Sequence, residues 1–161
     1  MCWKCDNPQA TEVDEELHLW GLIDRFGWAV QYIEPGRRTL PWGYTVGLSA
    51  YGQPELVATG LRPEPLMNLL NSLAQHFMHK PSPEPGSRVH LIDGPVVEFV
   101  ELSQPSAHLY AAVQMFGPRI RGIQAVHADD RGHWPWHPGF RGGRGGQPVL
   151  GPRAERREGE R

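Results

Sequence analysis

The chain has 161 residues, 39% of them hydrophobic, which is enough apolar material for one core of ordinary size and too little length for two domains. Sixteen Lys and Arg against eighteen Asp and Glu give a formal charge of -2, which excludes a global basic field directed at nucleic acid or an anionic membrane. No segment approaches the roughly 18 uninterrupted apolar residues of a spanning helix, and "MCWKCDNPQA" has no apolar h-region, so a cytoplasmic protein with no membrane partner is expected.

Residues 1–10 read as a loose segment carrying Cys2-x-x-Cys5. From Thr11 the pattern is helical. Thr11 can cap, Asp14 falls at the reciprocal capping-box position, and Val13, Leu17, Trp20 and Ile23 recur at helical spacing until Gly27. "WAVQYIE" (Trp28 to Glu34), "WGYTVGL" (Trp42 to Leu48) and "ELVATGL" (Glu55 to Leu61) are β-branched and aromatic enough for three strands, the last two joined through "SAYGQP". Pro63 suits the first turn of a second helix whose Leu66, Leu69, Leu70, Leu73 and Phe77 form one apolar stripe. "RVHLI" and "VVEFVEL" flank Asp93-Gly94 and read as a hairpin closed by a two-residue turn. "QPSAHLYAAVQMFG" is a third helix between Pro105 and Gly117, and "IRGIQAVHA" is a last strand. The composition then shifts to glycine and to "PRAERREGER". The expectation is an α+β single domain over residues 11–150, with a mixed or antiparallel sheet of five to six strands, three helices and a disordered polar tail over residues 151–161.

Several motifs resemble chemistry without completing it. Cys2 and Cys5 have metal-knuckle spacing and His133-x-x-x-His137 has that of the second half of a Cys2His2 site, so zinc is a candidate cofactor, although Pro135 prevents an ordinary helical turn between the histidines. The cysteine pair reads first as two reduced thiols in a loosely held terminus, with a reversible dithiol as a lesser alternative because the strand-to-helix context of a redox pair is missing. Ser49 in "GLSAYG" lacks the glycines of a nucleophile elbow. "RGGRGGQP" lacks the Lys-Ser/Thr and following helix of a phosphate loop; Arg141 and Arg144 leave nucleic-acid contact through a basic tail as an alternative. His18, His76, His79, His90 and His108 are scattered, whereas His127 ends a strand directly before Asp129 and Asp130. Carboxylate and imidazole there could serve a ligand, or Asp129 to Gly132 could be a turn whose aspartates cap backbone N–H groups.

"GW" (Gly27-Trp28), "YTVGL", "PELVATGL", "QAVHADDRGHWPW" and "QPVL" (Gln147 to Leu150), taken in this order, resemble the bacterial domain-of-unknown-function (DUF) 4262 family. The resemblance spans Gly27 to Leu150 and implies no reaction. It matches Asp129 or Asp130, Gly132, Trp134, Pro135 and Trp136, while His133 and His137 stand where other polar or charged residues are expected.

The leading expectation is a binding module for a small ligand or a protein partner, using Tyr44, Thr45, Tyr51, Glu55, His127, Asp129, Asp130, Trp134 and Trp136 where "YTVGLSAYGQPE" meets "HADDRGHWPW". The alternative is a zinc protein or metal-dependent enzyme using Cys2, Cys5, His133 and His137. Trp134 and Trp136 are expected to pin the last segment against the sheet.

Overall fold

The computed structural model describes residues 3–155. Its centre is a mixed sheet in the order β1-β2-β3-β6-β5-β4, formed by β1 (Ala29–Ile33), β2 (Trp42–Val46), β3 (Glu55–Thr59), β4 (Arg88–His90), β5 (Val96–Glu101) and β6 (Gly122–His127). Every neighbouring pair is antiparallel except β3 and β6, which run parallel with Glu55 beside Gly122 and Val57 beside Gln124.

Alternation along the strands gives the sheet two apolar faces. On one face Leu56, Ala58, Phe99, Ile123 and Ala125 pack under α3 (Pro63–Phe77), whose Leu66, Leu69, Leu70 and Leu73 are the buried stripe that the sequence predicts. On the other, Tyr44, Val46 and Val57 meet α2 (Glu12–Phe26) and α5 (Tyr110–Phe116) through Leu19, Ile23 and Ala112. The layout is α+β, with one layer of helix on each side of one sheet.

Local signals hold at the ends of α2. Thr11 and Asp14 form the reciprocal capping box, and Gly27 takes the left-handed conformation at φ 93° that closes the helix. The buried face is shifted from the expected one: Ile23 is inward as expected, but Val13 and Leu17 are exposed and Leu19 is inward. Glu15 lies one turn before Leu19 on that inward side, where its carboxylate accepts from Gln31 at 2.8 Å and pairs with Lys4 at 3.4 Å. A charged side chain with partners inside the stripe hides the periodicity.

Two further expectations are corrected. The hairpin between β4 and β5 exists, but its loop is Leu91 to Pro95, because Pro95 has no N–H for the ladder and His90 pairs directly with Val96. The third helix is broken in two, α4 (Pro105–His108) and α5, at Leu109 (φ -112°, ψ 46°). That break drops a fully buried Leu109 into the core.

The short helix α1 (Trp3–Asp6) precedes α2, with Trp3 stacked on His18 at 4.5 Å. Of the tail expected to be disordered, residues 151–155 are described; Gly151 passes too close to the Glu101 carbonyl to carry a side chain, and Arg153 binds Glu98. No helix among the described residues is long and apolar enough to cross a membrane.

Leu70 is fully buried at the centre of the α3 stripe. Leu70→Ala is expected to cost about 2–5 kcal/mol, read as a lower urea midpoint in chemical denaturation.

Candidate functional site

The stretch after β6 is organised by one carboxylate. Asp129 Oδ1 accepts from the backbone N–H of Arg131 at 2.9 Å and of His133 at 2.8 Å, and Oδ2 accepts from the N–H of Arg141 at 2.8 Å. Gly132, at φ 80°, completes the turn, and the Asp129 N–H donates to the His133 carbonyl at 2.8 Å. Loss of solvent works against ionisation of Asp129, but the N–H groups of Arg141, His133 and Arg131 outweigh it and hold the carboxyl down to about 2. Asp129 therefore ties residues 131, 133 and 141 together, and Asp130 beside it is exposed.

Arg141 is the second organising residue. Its guanidinium donates to the carbonyls of Gly60 at 2.9 Å, Gly146 at 3.2 Å and Gly145 at 3.5 Å, fastening the end of β3 to the chain entering the tail. The two backbones are so close that a side chain on Gly60 would run into the Gly146 carbonyl. Arg141 itself has φ 50°, a conformation that a non-glycine residue adopts only when its surroundings enforce it. Asp129 at its N–H and the fully buried neighbour Phe140 supply that enforcement.

His127 lies between these elements, 4% exposed. The Gln147 side chain brackets its backbone, accepting from the N–H at 2.9 Å and donating to the C=O at 2.8 Å. The ring spans from Thr59 O, 3.4 Å from Nε2, to Gln147 Nε2, 3.5 Å from Nδ1, an arrangement that suits the neutral imidazole with the proton on Nε2. Burial, with the positive charge of Arg141 in support and against the pull of the Thr59 carbonyl, lowers the ring to about 4. His127, Ala128, Asp129 and Arg141 floor a cleft of about 800 Å3. The start of α3 (Pro65, Leu69) and the β4–β5 loop wall it, and Asp130 lies at its rim.

A family model described as Domain of unknown function (DUF4262) matches residues 22–141, more than half of the chain. The chain belongs to that family. No curated protein and no solved structure shows a match. The matched region of this DUF4262 domain ends at Arg141, so His127, Asp129 and Arg141 fall inside it and Gln147 and Arg153 outside.

The remaining sequence candidates lie elsewhere in the DUF4262 fold. The parallel register puts Glu55 beside Gly122, five residues and roughly 17 Å of strand before His127. "YTVGLSAYGQPE" and "HADDRGHWPW" thus occupy opposite ends of the β3–β6 pair, and the expected common surface does not form. Glu55 and Thr45 are fully buried. The Glu55 carboxylate accepts from Thr45 Oγ1 at 2.9 Å, Gly47 N at 2.8 Å, and Ser49 N and Oγ at 3.0 Å each. Burial pushes this carboxyl up, with the Ser49 N–H pulling hardest in the other direction. Tyr44 is also buried; burial pushes its hydroxyl up to about 12, and the hydroxyl oxygen accepts from Ala111 N–H at 3.0 Å. Of this group Tyr51 alone is exposed.

The two tryptophans serve a different anchor from the one expected. Trp134 and Trp136 stack at 5.4 Å, with the Arg88 guanidinium 4.4 Å over the first ring and that of Arg153 3.6 Å over the second. Both arginines bind Glu98, which is buried on β5: Arg88 at 3.2 Å, Arg153 at 3.0 and 3.2 Å. Trp136 remains 37% exposed, so the ladder holds the tail while Phe140 is the buried apolar plug. His133 and His137 stack at 4.5 Å, and His137 Nδ1 accepts from Gly139 N–H at 2.9 Å. Among the described residues no group of three or more His, Cys, Asp or Glu is placed to hold a metal. Cys5 is exposed in α1, and Cys2 lies outside the described residues.

The sequence placed Arg141 only in a basic tail, because it opens "RGGRGG", a composition shared with flexible tails. Nothing in a linear pattern announces a carboxylate that accepts from an N–H twelve residues away.

Two outcomes follow. Glu55→Ala leaves the buried Gly47 N–H and the part-buried Ser49 N–H without an acceptor and should cost about 3 kcal/mol, whereas Glu55→Gln keeps one acceptor oxygen and should cost less in the same denaturation assay. His127 is neutral in the fold and protonates more readily in the unfolded chain. Stability is therefore full above pH 6.5 and falls as pH drops toward about 4, by up to about 3 kcal/mol, a loss that His127→Asn should remove from urea titrations at pH 7 and 4.5.

Proposed function

We propose that the DUF4262 domain binds a small ligand in the cleft at the carboxyl ends of β3 and β6. The observation that carries this reading is the position of that cleft, about 800 Å3, beyond the one parallel pair among the described strands. Where parallel strands end, the connecting segments leave in different directions and open a crevice, which is where α/β sheets take their ligands. The lining has the mixture that small-molecule sites use. Leu61, Pro65 and Leu69 offer an apolar wall, and His90, Asp93 and Asp130 add polar groups at the edge.

The floor is built to keep its shape. Both ring nitrogens of His127 face protein partners, so the imidazole acts as a shaped, neutral surface. Asp129 holds the loop below it, and Arg141 clamps β3 to the tail segment. Side chains locked by such bonds lose little freedom when a ligand arrives. The start of α3 contributes shape more than hydrogen bonds, since Pro63 and Pro65 carry no N–H.

The test is a fragment screen by amide chemical shifts on the wild-type domain and on Pro65→Trp, a bulky change at an exposed position on the cleft wall. Fragments are expected to shift amides of residues 91–94, 96 and 127–132 and to bind about tenfold or more weakly to Pro65→Trp, the loss of a fragment's apolar contacts. Hits that shift other regions, or that bind both proteins equally, would sink the reading.

A further inference from the structure

Arg141 faces a second hollow as well as the cleft. Arg131, Arg141 and Arg144 surround it, with Asp129, Asp130 and Gly142, and its volume is about 260 Å3. Three arginines elsewhere pair with carboxylates, Arg88 and Arg153 with Glu98 and Arg121 with Glu101, whereas Arg25, Arg37, Arg38, Arg62 and Arg119 form no ion pair among the described residues. Among the described residues no ion pair joins Arg131, Arg141 or Arg144 to any carboxylate, although Asp129 and Asp130 line the same hollow.

The geometry explains why those aspartates do not neutralise the group. Both oxygens of Asp129 are turned to backbone N–H groups, and Asp130 is exposed at the rim. Arg141 gives three N–H contacts to the carbonyls of Gly60, Gly145 and Gly146; of its five N–H groups, the Nε one and one on Nη2 have no acceptor among the described residues. Arg144 Nε donates to the Arg141 carbonyl at 3.0 Å, which draws its side chain to the same turn. That turn runs left-handed through Arg141, Gly142 and Gly143, with φ of 50°, 66° and 82°. A backbone conformation that arginine adopts unwillingly is thus used to aim a half-buried guanidinium and to gather two exposed ones beside it.

We propose that this hollow is an anion subsite that seats the phosphate group of a phosphate monoester, whose organic body lies in the adjoining cleft. The body's position rests on the cleft reading above; the charged subsite does not. Guanidinium groups match a phosphate because their planar N–H forks meet its several oxygens at once, and three such groups around one hollow match a dianion better than a carboxylate. Arg141 lines both cavities, so a single ligand can touch it from both.

The probes are inorganic phosphate, phenyl phosphate, benzoate and an oligothymidylate, titrated at constant ionic strength by calorimetry and amide shifts. Inorganic phosphate is expected to shift the amides of residues 131 and 141–144, and phenyl phosphate to bind about tenfold tighter by burying its ring. The double variant Arg131→Ala/Arg144→Ala changes exposed residues only and should weaken both by about tenfold or more while leaving the melting temperature near wild type. Asp130→Asn, which removes the opposing rim charge, should strengthen both a few-fold. Absence of phosphate binding, indifference to the arginine pair, benzoate matching phenyl phosphate, or oligothymidylate binding tightest would each overturn the phosphate-monoester site. If phosphate binds and Pro65→Trp leaves the phenyl gain intact, the cleft reading fails and the anion subsite stands.

Discussion

The structure turns on a parallel pair that stops early. β3 and β6 are in register for three residues, Glu55 to Val57 against Gly122 to Gln124, and then no longer pair, although both strands continue. Backbone groups in the middle of a sheet cannot be left without partners once water is excluded. The chain answers with side-chain amides. Gln147 takes the N–H and C=O of His127 as a neighbouring strand would, and Gln124 bonds Thr59 Oγ1, the Pro148 carbonyl and the Leu150 N–H. Thr59 Oγ1 donates to the same Pro148 carbonyl at 2.7 Å. The segment from Gly146 to Leu150 is thereby part of the sheet's hydrogen bonding without being a strand.

That repair shapes the cleft. Where the strands cease to pair a ladder cannot fill the space, and the loop after β6 must be held by other means. Asp129 holds it with three N–H donors, Phe140 plugs it, and Arg141 fastens it to the end of β3. Each of these contacts is short-range, yet together they join residues 60, 129, 141 and 146. The outer half of the sheet is closed in the same spirit. Glu98 is buried on β5 and needs partners, and Arg88 and Arg153 provide them while sandwiching the Trp134–Trp136 stack. A buried carboxylate with two arginines is costly to break and specific about what it accepts, which makes Arg153 a fixed end for the described tail.

The elements that were legible are those whose cause is local. The capping box at Thr11 and Asp14 and the leucine stripe of α3 follow from spacing that any helix imposes. The short strands and the order of helix, three strands, helix, hairpin, helix and strand were also readable, because turn residues sit between apolar runs. Errors arose where a distant partner decided. Glu15 sits inward because Gln31 and Lys4 meet it, which moved the buried face of α2 away from Val13 and Leu17. Glu55 looked available because nothing near it in sequence announces that Thr45, Gly47 and Ser49 surround it.

By itself the sequence determined the class of fold, the helix that covers one face and the family, and it offered the turn chemistry of Asp129 as one of two readings. Those depend on periodicity, capping and side-chain bonds to backbone within a few residues, all of which act along the chain. Only the tertiary structure decided that Glu55 and His127 lie at opposite ends of one strand pair, that Arg141 fastens the end of β3, and that Arg153 closes on Glu98. A parallel register and a buried charge are settled by pairing and desolvation between segments far apart in sequence, and no local pattern records which partner a buried group will find.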